Sequence, residues 1–257
     1  MKHFLLIALA ALLVVAATAL FSLPAAWLTP MIERHSGGRF TLGDPQGSLW
    51  RGSAFAGAAA DPNAPAAPIL LGRFRWTVSP LILLGIVDGR IDNPEALDHT
   101  LTVSGSWNTW QLGPASLQLP AERLAALGAP LNTLQPSGRM QLSWPDLTLR
   151  RTANGIDIDG RMLLELKDIA SALSPVKPLG AYRLQFDWQG ARARLTLSTL
   201  SGPLQMAGHG AIVNGRLQFS GEAWAQPGQE QRLAILLNLL GQQRQRGNRN
   251  VVALEFQ

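Results

Sequence analysis

The sequence predicts a mainly β protein: an N-terminal transmembrane helix, then a curved antiparallel sheet or sandwich-like domain carrying a few short helices. Three observations predict it. The stretch from Phe4 to Leu23 holds no charged residue. Beyond it, apolar and polar residues alternate with period two through most of the chain, which is the pattern of half-buried strands. Glycines and turn dipeptides interrupt that alternation at short intervals, while sustained helical periodicity appears in one segment near the C-terminus. The domain organisation that follows is an anchor at 1–23, a linker at 24–38 and a β-rich domain at 39–257.

As a helix, the uncharged run would be about 30 Å long, the thickness of a bilayer's hydrocarbon core. Its apolar surface is built from Phe4, Leu5, Leu6, Ile7, Leu12, Leu13, Val14, Val15 and Leu20. The next apolar runs, Pro80 to Val87 and Leu233 to Leu240, fall short of the roughly 17 residues a spanning helix needs. Everything after the anchor therefore lies on one side. Lys2 precedes the run and Arg34 and Arg39 follow it, so the flanking charges are nearly even. A short tail ahead of a long apolar helix and a large domain reads as a signal anchor that exports the domain. A cleaved signal peptide is the alternative, because Ala17-Thr18-Ala19 fits an A-x-A site. The apolar run continues past that site through Leu20, Phe21 and Leu23.

The chain is 47% apolar and 15% charged, the balance of an ordered domain. It has no cysteine, which excludes disulfides, thiolate metal sites and thiol chemistry. A net charge of +5 invites a nucleic-acid or anionic-lipid reading, yet the basic residues are spread along the chain. The densest group is Arg232, Arg244, Arg246 and Arg249, which reads first as a solvated face. Arg244, Arg246 and Arg249 are also a candidate interaction surface; no nucleic-acid partner is expected.

After the anchor, Pro24 and Pro30 interrupt helical continuation, Trp27 falls at the level of a membrane–water interface, and Ser36-Gly37-Gly38 is a linker. Phe40 and Leu42 begin the alternation, and Asp44-Pro45-Gln46-Gly47 is expected as a turn. Ala56 to Pro68 reads as a low-complexity loop with nothing large to bury. Asp88-Gly89, Asn154-Gly155 and Asn214-Gly215 are expected as hairpin turns. A short phrase, glycine-arginine and an alternating apolar pair, recurs at Gly38, Gly72, Gly138 and Gly215 and is read as a strand start. Strands are also expected over Leu101 to Trp107, Tyr182 to Trp188 and Leu195 to Leu200. Pro120 to Leu127 is a short helix stopped by Gly128, and Ile169 to Leu173 a single helical turn. The best helix is Glu230 to Gln243, with Leu233, Leu236, Leu237 and Leu240 on one face, and Ile235 and Leu239 widening that apolar stripe, to pack on the sheet. Val251 to Phe256 is the last strand.

Little here has the pattern of a catalytic centre. The four histidines lack metal-ligand spacing. Ser174-Pro175-Val176-Lys177 matches a bare S-x-x-K without its companion motifs, and its proline disrupts the helix start the motif needs. Asp157 and Asp159 share one face of a strand, which suits either a cation or the wet side of a hairpin. No catalytic, cofactor or metal residues are expected. Seven of the eight tryptophans lie in the β region, where they serve as bulky core material with one polar handle. Trp107 and Trp110 straddle a short loop and are a candidate recognition surface.

A set of phrases in order carries a resemblance: Gly47-Ser48-Leu49-Trp50-Arg51-Gly52; Trp76 followed by Pro80-Leu81 and Gly85 to Gly89; Gly202-Pro203-Leu204; Asn214-Gly215-Arg216; and Leu236-Leu237-Asn238-Leu239-Leu240-Gly241. With the N-terminal anchor and the overall length, they resemble the type II secretion system protein N family, also described as general secretion pathway protein N. The Ala/Pro stretch at Ala56 to Pro68 departs from it as an insertion. The resemblance implies a single-pass component of the cell inner membrane with the bulk of the chain periplasmic. It would act as a structural and interaction protein in export of folded exoproteins across the outer membrane, not as an enzyme. Its implied partners are other secretion components and the inner membrane, with no small-molecule substrate. The alternative is a periplasmic lipid-handling protein with an apolar β-groove. A filled interior suits the first reading and an elongated apolar cavity the second.

Overall fold

A computed structural model describes residues 18, 20, 22–59, 66–127, 131–153, 155–213, 215–241, 243–246 and 249–256. Of the anchor positions, Phe4, Leu5, Leu6, Ile7, Leu12, Leu13, Val14 and Val15 lie outside the described residues. Among the described residues no helix is long and apolar enough to cross a membrane.

The chain forms one large antiparallel sheet, the curved-sheet alternative and not a two-sheet sandwich. It begins with a 3-10 turn at Ala25–Trp27 and helix α1 (Leu28–Ser36), then β1 (Phe40–Gly47), β2 (Arg51–Ala58), β3 (Ala67–Pro68) and β4 (Phe74–Val78). After a 3-10 turn at Pro80–Leu84 come β5 (Ile86–Asp92), β6 (Leu101–Ser106), β7 (Thr109–Leu112) and β8 (Ala115–Pro120). A 3-10 turn at Ala121–Leu127 and the short α2 (Leu131–Leu134) lead to β9 (Pro136–Trp144), β10 (Leu147–Thr152) and the long β11 (Gly155–Ser171). A run of hairpins follows: β12 (Gly180–Gly190), β13 (Arg192–Ser201), β14 (Leu204–Val213) and β15 (Arg216–Ala225). Helix α3 (Glu230–Leu240) and the hairpin of β16 (Gln243–Arg246) and β17 (Arg249–Phe256) close the chain.

Pairing runs β1, β2, β4, β5, β6, β7, β10, β11, β12, β13, β14, β15, β17, β16. β3 lies beside β4 on β2, while β9, backed by β8, shares one side of β11 with β10.

Register makes this sheet two-faced, because directly opposed residues of antiparallel strands share a face. Trp76 opposes Ile91, Ile91 opposes Leu101, Val103 opposes Leu112, Leu112 opposes Leu147, Leu147 opposes Gly160, Gly160 opposes Trp188, Trp188 opposes Ala193 and Ala193 opposes Ile212. One face is therefore apolar across the pairing order. The other carries the ion pairs Arg139–Asp168, Arg150–Asp159, Arg161–Asp187 and Arg183–Glu165.

The apolar face is covered only in part. Leu233, Leu236 and Leu237 of α3 pack onto Tyr182, Leu195, Leu197, Leu204, Phe219, Ala223, Val252 and Leu254, with Val176 and Leu179 from the loop before β12. Tyr182 is fully buried and donates to the carbonyl of Leu204 at 3.0 Å. Desolvation raises its phenol's pKa above the ordinary tyrosine value. Outside this cluster, Trp76, Ile91, Val103, Trp110, Leu149, Ile158, Trp188 and Ile212 stay half-buried.

Several expectations are corrected. Asp88-Gly89 is no turn but the middle of β5, where Gly89 is buried between Val78 and Val103; the chain reverses earlier, at Pro80 to Gly85. Asp44-Pro45 is a bulge inside β1, with Asp44 at φ 47°, and Gln46 and Gly47 resume pairing opposite Ser53 and Gly52. The expected loop is strand through Ala58, and Ala58 and Ala59 are buried, since methyl groups allow close packing; residues 60–65 lie outside the described residues. Ile169 continues β11 opposite Gly180 and is not helical. Gly138 is interior to β9, facing the bulge at Asp168, and starts no strand. Pro30 does not stop α1, because it sits in the first helical turn where its missing N–H is no loss. Gly37 ends that helix in the left-handed region, and Glu33 accepts from Thr41 at 2.6 Å, tying α1 to β1.

Candidate functional site

The phrases that run along the sequence meet at one corner of the sheet. Gly47, at φ 81°, turns β1 into the Ser48-Leu49-Trp50 loop, and the backbone of Arg51 leaves no room there for a side chain. Gly52 opposes Trp76, whose indole lies where a Cβ of residue 52 would stand. Trp76 donates through Nε1 to the carbonyl of Leu49 at 3.1 Å.

Trp50, buried, donates through Nε1 to the carbonyl of Leu20 at 2.9 Å, and Leu49 donates its N–H to Leu23 at 2.8 Å. The last residues of the uncharged run are thus bonded directly into the start of β2. The carbonyl of Trp50 also accepts from Val78 at 2.7 Å, which places the Pro80–Leu84 turn beside this junction.

Among the described residues that turn holds the most exposed large apolar side chain, Leu84. Ser79 starts it by accepting from the Leu81 N–H at 3.3 Å, Pro80 supplies its fixed φ, and Gly85 stops it at φ 90°. Leu81, Leu83, Leu84 and Ile86 are all exposed, Leu84 at 77%. Trp107, 57% exposed at the β6–β7 turn, donates its indole N–H to the carbonyl of Ile82 and joins them. Sequence reasoning missed the leucines, setting Pro80 to Val87 aside as too short to span. The legible signal was an uncharged run bracketed by Ser-Pro and Gly.

The other candidates are placed as follows. Trp107 and Trp110 do not share a surface: Trp107 is at the corner, whereas Trp110 is half-buried on the apolar face opposite Gly105 and Leu149. Arg244, Arg246 and Arg249 are on the β16–β17 hairpin at the other end of the pairing order, where Arg246 opposes Arg249 and the Arg244 side chain approaches Glu255 at 3.6 Å. Asp157 and Asp159 lie on the polar face; Asp159 pairs with Arg150 and accepts from Gly190 N–H at 3.1 Å, which holds its carboxyl below the usual range. Among the described residues no three His, Cys, Asp or Glu side chains gather to hold a metal. Ser174 is buried in a local turn with Val176.

Two hollows lie along the sheet edge that carries these turns. One, of about 990 Å³, combines apolar side chains such as Val213 and Phe219 with charges of both signs, among them Asp187, Arg192, Arg194 and Glu255. The other, of about 770 Å³, is lined by Ile156, Ile158, Trp188 and Ile212 together with Thr152 and Asp157.

Fold and corner define a class of protein: a single-sheet β domain with a polar and an apolar face, bonded at one corner to the end of an apolar N-terminal run. Residues 38–252 match the family model of type II secretion system (T2SS), protein N, and the chain belongs to that family. No curated protein and no solved structure matches it.

Proposed function

We propose that this chain is a single-pass inner-membrane component of the type II secretion machinery, with its sheet domain in the periplasm. It acts there as a structural and interaction protein in the export of folded exoproteins across the outer membrane. The family match over residues 38–252 carries this reading. Two features of the corner support the membrane part. Trp50 and Leu49 bind the carbonyls of Leu20 and Leu23, so the domain starts with no free tether between the uncharged run and the sheet. Leu81, Leu83, Leu84, Ile86 and Trp107 are exposed beside that junction, and aromatic and aliphatic groups of this kind favour the interfacial layer of a bilayer. The corner then rests on the membrane while the charged face meets other secretion subunits.

The test is photo-crosslinking in cells from single positions of the full-length protein. A crosslinker at Arg161 or Arg194, on the polar face, should trap secretion subunits, and one at Leu84 should trap lipid. Adducts at Arg161 and Arg194 with no secretion subunit among them would refute the proposal.

A further inference from the structure

We propose that the whole turn edge of the sheet, from the anchor junction to the β14–β15 turn, is a membrane-contact surface that lies on anionic phospholipid headgroups and stands the sheet upright on the bilayer. This deepens the membrane part of the proposed function and rests on it, but not on which secretion subunits are met.

Register collects the turns β1–β2, β4–β5, β6–β7, β10–β11, β12–β13 and β14–β15 on one edge, because β4, β6, β10, β12 and β14 run into it while β2, β5, β7, β11, β13 and β15 run out. These turns touch in series, beginning at the end of the uncharged run. Leu49 donates to the carbonyl of Leu23 at 2.8 Å, and Val78 to that of Trp50 at 2.7 Å. The Trp107 indole donates to Ile82, and Arg151 N–H to Asn108 at 2.8 Å. Farther along, Thr152, Ala191 and Gly215, one from each of the next three turns, border a single hollow. The edge is therefore continuous with the point where the anchor enters.

Its chemistry is one-sided. Segments 47–51, 79–85, 106–109, 150–156, 189–192 and 213–217 contain Arg51, Arg150, Arg151, Arg192 and Arg216 and no Asp or Glu. The connections at the other ends of β5, β11, β13 and β15, taken as 92–101, 171–180, 201–204 and 225–230, contain Asp92, Glu95, Asp98 and Glu230 against Lys177. Arg150 is bonded to Asp159, whereas Arg51, Arg151, Arg192 and Arg216 are exposed and make no ion pair among the described residues. Between these cations stand the exposed apolar side chains Leu84, Ile86, Trp107, Ile156 and Leu217. Uncompensated arginines among apolar tips suit the interfacial layer, where phosphates take the cations and the acyl boundary takes the tips. The occupant is the bilayer and not a soluble acidic protein, because the anchor enters at this edge and holds it against the headgroups. Both faces of the sheet are then left free for other contacts.

The chain has no cysteine, so single cysteines carry a fluorophore without background. Full-length protein labelled with nitrobenzoxadiazole at Leu84→Cys, Ile156→Cys, Ala191→Cys or Leu217→Cys is reconstituted in vesicles of phosphatidylethanolamine and phosphatidylglycerol, with a headgroup nitroxide lipid as quencher. All four labels should be quenched, and a label at Leu200→Cys, about 26 Å from Arg192 along β13, should be spared. Replacing phosphatidylglycerol by phosphatidylcholine should relieve quenching at Ile156→Cys and Leu217→Cys. Arg192→Gln with Arg216→Gln should lower the ratio of edge-bound to released protein, read from Leu217→Cys, about fivefold for each arginine removed. Quenching at Leu84→Cys with none at the other three edge positions would overturn the edge and leave the anchored corner standing. Equal quenching in phosphatidylcholine and phosphatidylglycerol would overturn the anionic assignment. A label at Val14→Cys with an acyl-chain nitroxide reports the anchor by itself, so failure of the anchor and failure of the edge are told apart.

Discussion

Gly52→Ala tests the packing of the corner from a single methyl group. A Cβ at residue 52 would stand 2.7 Å from the carbonyl of Ser48 and 2.8 Å from Trp76 Cε2. Real contacts of a Cβ are not this close, and neither a backbone carbonyl nor an indole ring is a flexible tip. Overpacking of this kind costs about 1 to 3 kcal/mol. If the indole swings away, Leu49 loses the half-buried bond it receives from Trp76 at 3.1 Å, which costs about 0.5 to 1.5 kcal/mol more. The sum is about 1.5 to 4.5 kcal/mol, which for a chain of this size lowers Tm by roughly 3 to 18 °C. Thermal melts of the full-length protein in detergent, followed by tryptophan fluorescence, read the shift. Adding Trp76→Leu to Gly52→Ala should recover part of the loss, because the two residues share one contact and their effects are coupled. A Gly52→Ala melt within about 2 °C of the parent would show that Trp76 does not lie over Gly52.

Three further outcomes are expected. Gly215 has φ 77° with nothing within 4 Å of a built Cβ, so Gly215→Val should cost about 1 to 3 kcal/mol through backbone strain alone; an unchanged denaturation midpoint would show that residue 215 does not hold that conformation. Acid should destabilise the domain: hydrogen bonds from Arg150, Arg183 and Arg161 lower the carboxyl pKa values of Asp159, Glu165 and Asp187. Because these folded-state values are depressed, the stability they add is present above the unfolded values, about 3.9 for Asp and 4.3 for Glu, and is lost as pH falls through the folded ones. Urea midpoints should therefore drop between about pH 5 and pH 3, less steeply in Arg183→Gln, and a flat profile would contradict the pairing. If Phe4 to Leu23 stays as an anchor, the protein should resist carbonate extraction and protease should digest its domain in spheroplasts; a mature chain beginning at Leu20 would end that reading.

Much of the fold was legible because a two-faced sheet writes itself as alternation. Tyr182, Leu184, Phe186 and Trp188 and then Ala193, Leu195 and Leu197 alternate with polar residues, and both runs are strands with that face inward. The α3 stripe was legible in part: Leu233, Leu236 and Leu237 are the residues it buries, but Ile235 and Leu239 are exposed and the helix stops at Leu240, with Gln243 already in β16. What alternation does not encode is where a strand may bend and continue. Asp88-Gly89 has the composition of a turn, but here glycine serves the close packing of a buried strand centre. Asp44 and Asp168 take positive φ within strands and re-aim them, which reads locally as a break. Nor does alternation reveal that the strands form one sheet, a matter of non-local pairing such as β7 with β10. At the site, the meeting of Gly52 with Trp76 was visible only as separate phrases. Trp107 and Trp110 looked like one surface because they are close in sequence, yet the turn between β6 and β7 sends them to different places.

Deleting the gene and measuring where exoproteins go tests the central claim, a role in type II secretion, most directly. A secreted reporter should accumulate folded in the periplasm of the deletion strain, and the full-length chain supplied in trans should restore its release into the medium. Unchanged release from the deletion strain, under conditions where a secretin deletion blocks it, would contradict the account.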